Sequence, residues 1–438
     1  MNETKKTILG LAVISILISG IIFYPQPALA VAVAFNDGSV SASLSTNCAS
    51  RTTVGTLTAT GLGAGTNIVI ATVDYVSSDA GVESVVQGST SNGLYRDTTQ
   101  VVGTQYTFYV GTSGMGEHYT YLLEDTGASA NEVYTVETCV SATASTAEAK
   151  ILAFQGLESS FVDSGNVATV AGSTVKIAEV TTDLTANNHI IIASVQIDCD
   201  GASTISAGNI LLRDSANATL ASNEFHMLCG SASAGDGMSI LLIGTNSGGS
   251  ANTKYNVGVQ ETTSGLAGAE AKILALKATN DEYYYADSGS TAVTTSAPQL
   301  NSIATSFYNS EQVAILDATQ YDDTDSAVES LVVSTGHTIS NGGTLAVNDI
   351  AISGLGASGS AGEGLRHSLV YGGTLSSANP TYLSNADASA TGLNGESKIL
   401  AFSLIDGISN PNASGFQQNN MWIFAILNLR ESIIDTKD

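Results

Sequence analysis

The chain has 438 residues and a formal charge of −26, and charged residues make up only 12% of it. This length is too great for one hydrophobic core and predicts about three domains. The low charged fraction excludes a disordered polyelectrolyte. Because the charge is strongly negative, the protein should repel phosphate backbones, and we expect no nucleic-acid partner.

The first thirty residues have the pattern of an export signal. Lys5 and Lys6 precede an apolar run from Ile8 to Tyr24, and Ala28-Leu29-Ala30 supplies the small side chains of a cleavage site. The run is also long enough to remain as an apolar membrane-anchoring helix. Residues 1–30 are therefore interpreted as a signal peptide or an anchor, and both readings predict an extracellular or cell-surface protein. We expect membrane contact only through this segment, if it is not cleaved.

One apolar segment occurs three times along the chain. These closing segments are residues 148–154 (EAKILAF), 270–276 (EAKILAL) and 396–402 (ESKILAF), and their lysines are 122 and 126 residues apart. Each copy also opens with an aromatic residue followed by an aspartate, in 35–38 (FNDG), 161–165 (FVDSG) and 285–289 (YADSG). Matching order and spacing indicate tandem copies of one domain-sized unit.

Short apolar runs rich in β-branched residues recur within each copy, between clusters of Gly, Asn and Ser. Such runs are typical of buried strands, and roughly seven to nine strands per copy fit a β-sandwich or jelly roll. The predicted fold is therefore all-β: three β-sandwich domains stacked in tandem at 31–157, 158–279 and 280–407. We expect the Ile, Leu and Phe of each closing segment to fill the space between two sheets, with the lysine at the rim.

A further apolar run lies in the C-terminal tail, residues 408–438. It contains Trp422, Ile423, Phe424, Ile426 and Leu427, and its distance from the third closing segment is that of the first strand of another copy. An exposed apolar strand promotes aggregation, so we expect it to pair. It either folds back onto the third copy or adds to the sheet edge of a neighbouring molecule and so drives assembly.

Four cysteines in an exported chain favour disulfides, and four allow three connectivities. Cys48 and Cys139 lie in the first copy and Cys199 and Cys229 in the second, so pairing within each copy is the most economical.

Acidic residues follow the second strand of each copy. They are Asp74 and Asp79, Asp198 and Asp200, and Asp322, Asp323 and Asp325. Carboxylates gathered on a turn can hold Ca²⁺, and the third set is the best candidate for such a metal site. The alternative is that these are solvated loop acids, in which case no cofactor is needed.

Signals of enzyme activity are sparse. His118, His189, His226, His337 and His367 are far apart in the chain, and no nucleophile elbow or phosphate-binding loop is present in the sequence. We therefore predict a protein without enzymatic activity. A secreted hydrolase is a lesser alternative, which would need a pocket that the sequence does not reveal.

The aromatic-Asp-Ser-Gly openings, the Ile-Ile-Ala-Ser type strand at 191–194 and the closing segments resemble the tandem jelly-roll repeats of microbial surface or appendage proteins and virion fibre proteins. The resemblance implies display, adhesion or assembly. We therefore predict a structural or adhesive protein whose partners are further copies of itself, other surface proteins or glycans. The alternative is an extracellular carbohydrate-binding protein, assisted or not by Ca²⁺.

Overall fold

The structure is a computed structural model. It describes residues 33–39, 41–77, 84–86, 89–104, 108–110, 116–140, 145–184, 187–199, 205–228, 237–263, 265–278, 283–293, 299–323, 330–333, 337–348, 352–355, 364–385 and 393–404. Within these ranges every regular element is a β-strand, so the predicted all-β class is confirmed. No helix in the described part has the length and apolar composition needed to cross a membrane. The signal or anchor at 1–30 lies outside the described residues.

Unit 1 spans residues 33–154. Its strands are β1 (Val33–Asp37), β2 (Ser41–Ala42), β3 (Thr52–Thr58), β4 (Gly65–Ser77), β5 (Ser84–Val86), β6 (Ser89–Arg96), β7 (Thr99–Thr104), β8 (Phe108–Val110), β9 (Gly116–Ala128), β10 (Val133–Thr138) and β11 (Ser145–Phe154). Sheet I has the order β1-β11-β4-β9, with β2 beside β11, and sheet II has the order β3-β10-β6-β7. Strands β5 and β8 pair separately.

Unit 2 spans residues 159–278. Its strands are β12 (Ser159–Asp163), β13 (Thr174–Thr181), β14 (Asn187–Cys199), β15 (Ile205–Asp214), β16 (Thr219–Leu228), β17 (Gly237–Gly249), β18 (Lys254–Thr263) and β19 (Leu266–Ala278). Sheet I has the order β12-β19-β14-β17 and sheet II the order β13-β18-β15-β16.

Unit 3 spans residues 283–403. Its strands are β20 (Tyr283–Asp287), β21 (Thr291–Val293), β22 (Gln299–Ala304), β23 (Gln312–Asp323), β24 (Ser330–Val333), β25 (Thr338–Ser340), β26 (Thr344–Val347), β27 (Ile352–Leu355), β28 (Gly364–Thr374), β29 (Thr381–Asn385) and β30 (Leu393–Ser403). Sheet I has the order β20-β30-β23-β28, with β21 beside β30, and sheet II has the order β22-β29-β25-β26. Strands β24 and β27 form a separate pair.

All three units have the same connectivity once the additional short strands are set aside. Numbering eight strands in chain order, sheet I contains the first, eighth, third and sixth, and sheet II the second, seventh, fourth and fifth. This two-sheet arrangement of eight antiparallel strands is a jelly roll. The predicted β-sandwich is therefore confirmed, whereas the domain boundaries placed on the sequence remain a prediction.

Each jelly roll has its own sandwich interior between its two sheets. The three interiors are separate clusters of buried apolar side chains. They include Val73 and Tyr121 in unit 1, Ala193 and Val195 in unit 2, and Ile315 and Leu369 in unit 3. Each unit therefore buries an apolar core between its own sheets.

The three units pack against one another in a closed ring. Strand β9 of unit 1 lies against β14, β17 and β19 of unit 2, and β17 of unit 2 lies against β23, β28 and β30 of unit 3. Strand β28 of unit 3 in turn lies against β1, β4 and β11 of unit 1. The same kind of head-to-tail contact is thus made three times and closes on itself. The expectation of sandwiches stacked in a row is wrong.

A fourth apolar cluster, here called the central core, fills the middle of this ring. It combines buried side chains from the sheet I of every unit: Ile68, Ile70, Leu122, Leu152, Phe154, Ile190, Ile192, Leu241, Ile243, Leu274, Leu276, Ala278, Ala314, Leu316, Val370, Leu400, Phe402 and Leu404. Sheet I is therefore covered on both faces, by its own sandwich on one side and by the other units on the second.

The closing segments lie at the ends of β11, β19 and β30. Their side chains contribute to the apolar cores on both faces of sheet I. In β11, Ile151 and Ala153 point into the sandwich interior, whereas Leu152 and Phe154 belong to the central core. Our expectation that Ile, Leu and Phe all fill the space between two sheets is therefore wrong for Leu and Phe. Successive side chains of a strand point to opposite faces, so one segment serves two cores.

The lysine of each closing segment is buried, not at the rim as expected. Lys150 is 2% exposed and contacts the carboxylates of Glu148 and Asp37, the latter at 2.8 Å. Burial lowers the pKa of Lys150, but Glu148 and Asp37 outweigh burial and raise that pKa above its ordinary value. The repeated lysine and the aspartate of the opening segment thus form an ion pair that recurs as Lys272–Asp163 and Lys398–Asp287.

A disulfide closes unit 1. Cys48 and Cys139 are bonded across 91 residues of sequence, which confirms the pairing predicted within the first copy. Cys199 is also disulfide-bonded, and Cys229, its expected partner, lies outside the described residues. A disulfide typically stabilises a fold by about 2–4 kcal/mol, mainly by restricting the unfolded chain.

Candidate functional site

The face of β4 that points out of its sandwich changes from apolar to polar along the strand. Ile68 and Ile70 belong to the central core, and the next residues on the same face are Thr72 and Asp74, which are also buried. Asp74 therefore lies inside a strand, not in a turn as the sequence suggested. A carboxylate buried here needs partners, since an unpaired buried charge costs much free energy.

Two strands from different units bring histidines to Asp74. His118 of β9 lies directly opposite Asp74 in the antiparallel pairing of unit 1. His367 comes from β28 of unit 3, which lies against β4. Asp74 thus contacts residues of both units at the interface between units 1 and 3. We call each interface between two units a seam.

Both oxygens of Asp74 are engaged. Oδ1 is 2.7 Å from His118 Nδ1, and Oδ2 is 3.0 Å from His367 Nε2. Burial raises the pKa of Asp74, but the two histidines outweigh burial and hold that pKa well below its ordinary value. Burial lowers the pKa of His367 to about 4, with Asp74 opposing this shift and His337 adding to it. At neutral pH, Asp74 is therefore a carboxylate and His367 a neutral imidazole.

The contacts continue from His367 into unit 3. Its Nδ1 lies 2.5 Å from His337 Nδ1, and His337 Nε2 lies 3.3 Å from Asp317 Oδ2. Ser397 donates its hydroxyl to Asp317 Oδ1 at 2.7 Å. All these side chains are buried. We call Asp74, His118, Asp317, His337 and His367 the seam cluster.

At the other end of the seam cluster, a serine contacts a histidine that contacts an aspartate, as in a Ser-His-Asp catalytic triad. Ser368 Oγ is 2.5 Å from His118 Nε2, and His118 Nδ1 faces Asp74. Ser368 Oγ also lies 2.9 Å from Thr120 Oγ1. However, Ser368 is only 1% exposed, so a substrate cannot reach its hydroxyl unless the seam opens. The geometry therefore supports a structural role for these residues.

The other two seams also carry polar contacts. Between units 1 and 2, Ser194 donates to the carbonyl of Thr120 at 2.8 Å, and the Thr120 amide donates to Ser239 Oγ at 3.1 Å. Between units 2 and 3, Arg366 donates to Asn223 Oδ1 at 2.6 Å and to the carbonyl of Glu224. Only the seam between units 1 and 3, in the described part of the chain, gathers titratable groups that could hold a metal: ligand atoms of Asp74, His118 and His367 lie within 4.8 Å of one another.

The predicted calcium site is only partly described. Asp322 and Asp323 end strand β23 and pair with Gly364 and Leu393 respectively, and Asp325 lies outside the described residues. The predicted assembly strand at Trp422, Ile423, Phe424, Ile426 and Leu427 also lies outside them. Both sites remain predictions.

The sequence interpretation missed the seam cluster. His118, His337 and His367 come from distant parts of the chain, and their proximity depends on the closed ring of units. One signal was present: Asp74 directly follows the run 68–73 (IVIATV) and, if the strand continues, lies on the same face as Ile68, Ile70 and Thr72.

A polar groove of about 280 Å³ lies on sheet II of unit 2. Its lining includes the three basic residues Lys176, Arg213 and Lys254, which is unusual in so acidic a chain. Glu179 bridges the two lysines at 2.9 and 3.1 Å. No aromatic side chain is among the residues described as lining this groove, so it lacks a stacking platform for sugar rings.

Comparisons with known proteins identify no family. No family model and no curated protein matches the sequence. Among solved structures, PNGase F, a glycosylasparaginase from Flavobacterium meningosepticum, is similar over 56% of this chain and 96% of its own, with 10% identity and a TM-score of 0.27. A triple jelly roll protein of an archaeal virus matches 84% of this chain and 90% of its own, with 11% identity and a TM-score of 0.18. The CBM22 tandem domain of Paenibacillus barcinonensis Xyn10C matches 56% and 92%, with 10% identity and a TM-score of 0.17. At these scores the similarities carry no argument about function.

Proposed function

We propose that this chain is a structural protein of an exterior surface, in which three jelly rolls form one rigid body for display or assembly. The observation that carries the proposal is the closed ring with its central core. Because sheet I of every unit is buried on both faces, the units support one another. Loops at the ends of such a body are free to vary and to bind.

An exterior location is supported by the Cys48–Cys139 disulfide, since disulfides persist mainly in oxidising compartments. The export pattern of residues 1–30 points the same way. Assembly through the C-terminal tail is part of the proposal, because the apolar strand predicted there from the sequence would need a partner.

Electron microscopy and light scattering of the secreted full chain test this function. We expect compact bodies that associate into filaments or a lattice. A variant lacking residues 416–438 should stay folded by circular dichroism and remain monomeric. A control that replaces residues 430–438 with a Gly/Ser sequence of equal length should still associate. If the full chain stays monomeric at all concentrations, the assembly function is wrong.

Binding of acidic glycans is the second candidate, and the basic groove of unit 2 favours it. Arg213 lines the groove with Lys176 and Lys254, and its Nε has no hydrogen-bond partner within the described structure, so the guanidinium is not held by a full set of protein acceptors. A glycan array probed with the full chain tests this function. Binding should be lost in Arg213→Ala and kept in Lys277→Ala, whose lysine pairs with Glu158 elsewhere on unit 2.

A hydrolase would require Ser368 to be reachable. We propose that it is not, and that a fluorophosphonate probe leaves the native full chain unlabelled. Labelling that disappears in Ser368→Ala would instead favour the enzyme.

A further inference from the structure

We propose that Asp74, His118 and His367 bind one divalent transition-metal cation of the zinc type at the seam between units 1 and 3. These residues lie on three strands from two units, and their ligand atoms are within 4.8 Å of one another. Zinc holds imidazole nitrogens and carboxylate oxygens at about 2.0–2.2 Å, so the three ligand atoms are near enough to share one ion once the side chains rotate away from their direct contacts.

Without a cation, the seam cluster lacks one hydrogen. Four contacts join its five side chains, and each contact needs one hydrogen between its two atoms. An imidazole in its neutral form supplies one hydrogen, so three supply three, and a carboxylate supplies none. The fourth contact would then place two lone pairs face to face in a buried site, which is unfavourable. An additional proton would repair the contact but leave a net negative charge buried.

With a cation, the hydrogens suffice. His118 Nδ1 and His367 Nε2 direct their lone pairs to the metal, together with Asp74. His367 Nδ1 then donates to His337 Nδ1, and His337 Nε2 donates to Asp317. The last hydrogen, on His118 Nε2, faces Ser368 Oγ. Every contact then has its hydrogen.

The charges also balance. The carboxylates of Asp74 and Asp317 carry two negative charges, and a divalent cation neutralises them inside a region where an uncompensated charge is costly. His337 and Asp317 take the place of the outer partners that orient metal-bound histidines in known sites. Two nitrogen donors and one oxygen donor favour Zn²⁺, Co²⁺ or Ni²⁺ over Ca²⁺ or Mg²⁺, which prefer oxygen.

The test uses the full chain, stripped with a chelator and titrated with Zn²⁺ and with Co²⁺. We expect one metal ion per chain by calorimetry and elemental analysis, visible absorption bands from bound Co²⁺, and a higher thermal midpoint with Zn²⁺ but not with Ca²⁺. Asp74→Asn and His367→Gln should abolish stoichiometric binding. His337→Gln should weaken binding by about 10–100-fold, as loss of an outer partner does.

The matched control is His189→Gln. His189 is also buried, but its Nδ1 contacts the hydroxyl of Tyr255, away from the seam. This variant should bind one Zn²⁺ like the unaltered chain. Circular dichroism shows which variants fold. If no variant folds, Zn²⁺ binding by the unaltered chain alone tests the proposal. Failure of the folded unaltered chain to bind Zn²⁺, or equal binding by every folded variant, would overturn the proposal.

Discussion

The sandwich interiors and the central core are built from the same strands but differ in composition. The interiors hold small residues and fully buried tyrosines, such as Ala149, Tyr75 and Tyr134 in unit 1. The central core is mostly Ile, Leu and Phe, with Ala278, Ala314 and Val370 besides, and no fully buried tyrosine is among its described members. The difference shows that sheet I serves two partners: its own sheet II, and the neighbouring units.

The central core also differs from its own polar end. On β4, Ile70 belongs to the central core, which combines apolar residues of all three units, whereas Asp74, on the same face, contacts His118 and His367. Apolar packing tolerates many arrangements, whereas hydrogen-bonding groups require particular partners at particular distances. We infer that the apolar part supplies most of the free energy and the polar part fixes which units meet.

The largest effect is expected from Phe154→Ala in the central core. The ring of Phe154 lies 5.3 Å from that of Phe402 in unit 3, and removing a fully buried phenylalanine costs about 3–5 kcal/mol of unfolding free energy. Denaturant unfolding of the full chain measures the loss. Hydrogen exchange should show faster exchange in units 1 and 3 together.

The control for that prediction is Phe225→Ala, in the sandwich interior of unit 2. It should cost a similar free energy but accelerate exchange mainly in unit 2. If both variants affected the same strands, the distinction between the two kinds of core would not hold.

Next in size is Lys150→Met. The substitution removes the buried lysine that neutralises Glu148, which is itself only 1% exposed. Loss of one partner from a buried pair costs about 3 kcal/mol. The double variant Glu148→Leu/Lys150→Met should regain most of that loss, because the buried carboxylate is then removed as well. Urea denaturation of both variants checks the prediction, and a double variant less stable than Lys150→Met contradicts it.

A smaller effect is expected from Arg366→Lys at the seam between units 2 and 3. Lysine keeps the charge, but its single ammonium group does not reproduce the two guanidinium nitrogens that donate to Asn223 Oδ1 and to the Glu224 carbonyl. We expect a loss of about 2 kcal/mol in unfolding free energy. Lys277→Arg near the end of β19, where the side chain is half-buried and pairs with the exposed Glu158, is the control and should change stability by less than about 0.5 kcal/mol.

The last effect is confined to alkaline pH and concerns the sandwich interior of unit 1. Burial raises the pKa of Tyr75 to about 12. Its folded pKa is above the unfolded value of about 10, so its contribution to stability is complete below pH 10 and is lost as pH rises towards 12. Stability should fall there by up to about 1.4 kcal/mol per pH unit from this group. Tyr75→Phe should reduce the slope of unfolding free energy against pH, and an unchanged slope would contradict the assignment.

Much of the fold could be predicted from local sequence. The closing segments are strands β11, β19 and β30, and the opening aromatics pair with them in one register, as Phe35 with Leu152 shows. Alternation and β-branched runs specify such strands without reference to the rest of the chain. The second burial of sheet I could not be foreseen, because a run of apolar residues does not say which partner covers each face.

The seam cluster was beyond local prediction for a related reason. Asp74 and His367 are 293 residues apart and meet only because β28 of unit 3 lies against β4 of unit 1. Local patterns placed Asp74 in a turn and left the histidines unrelated. This long-range contact exists because the three units close into a ring. The periodicity of apolar residues along the sequence does not predict how the units pack against one another.

A ring made from one polypeptide has a freedom that a ring of three identical chains lacks. In a homotrimer, every substitution would appear three times, and each interface would change alike. Here Asp74 and His367 occur at a single junction, while Arg366 serves another and Ser194 the third. A single chain therefore allows each junction its own chemistry within a shared architecture.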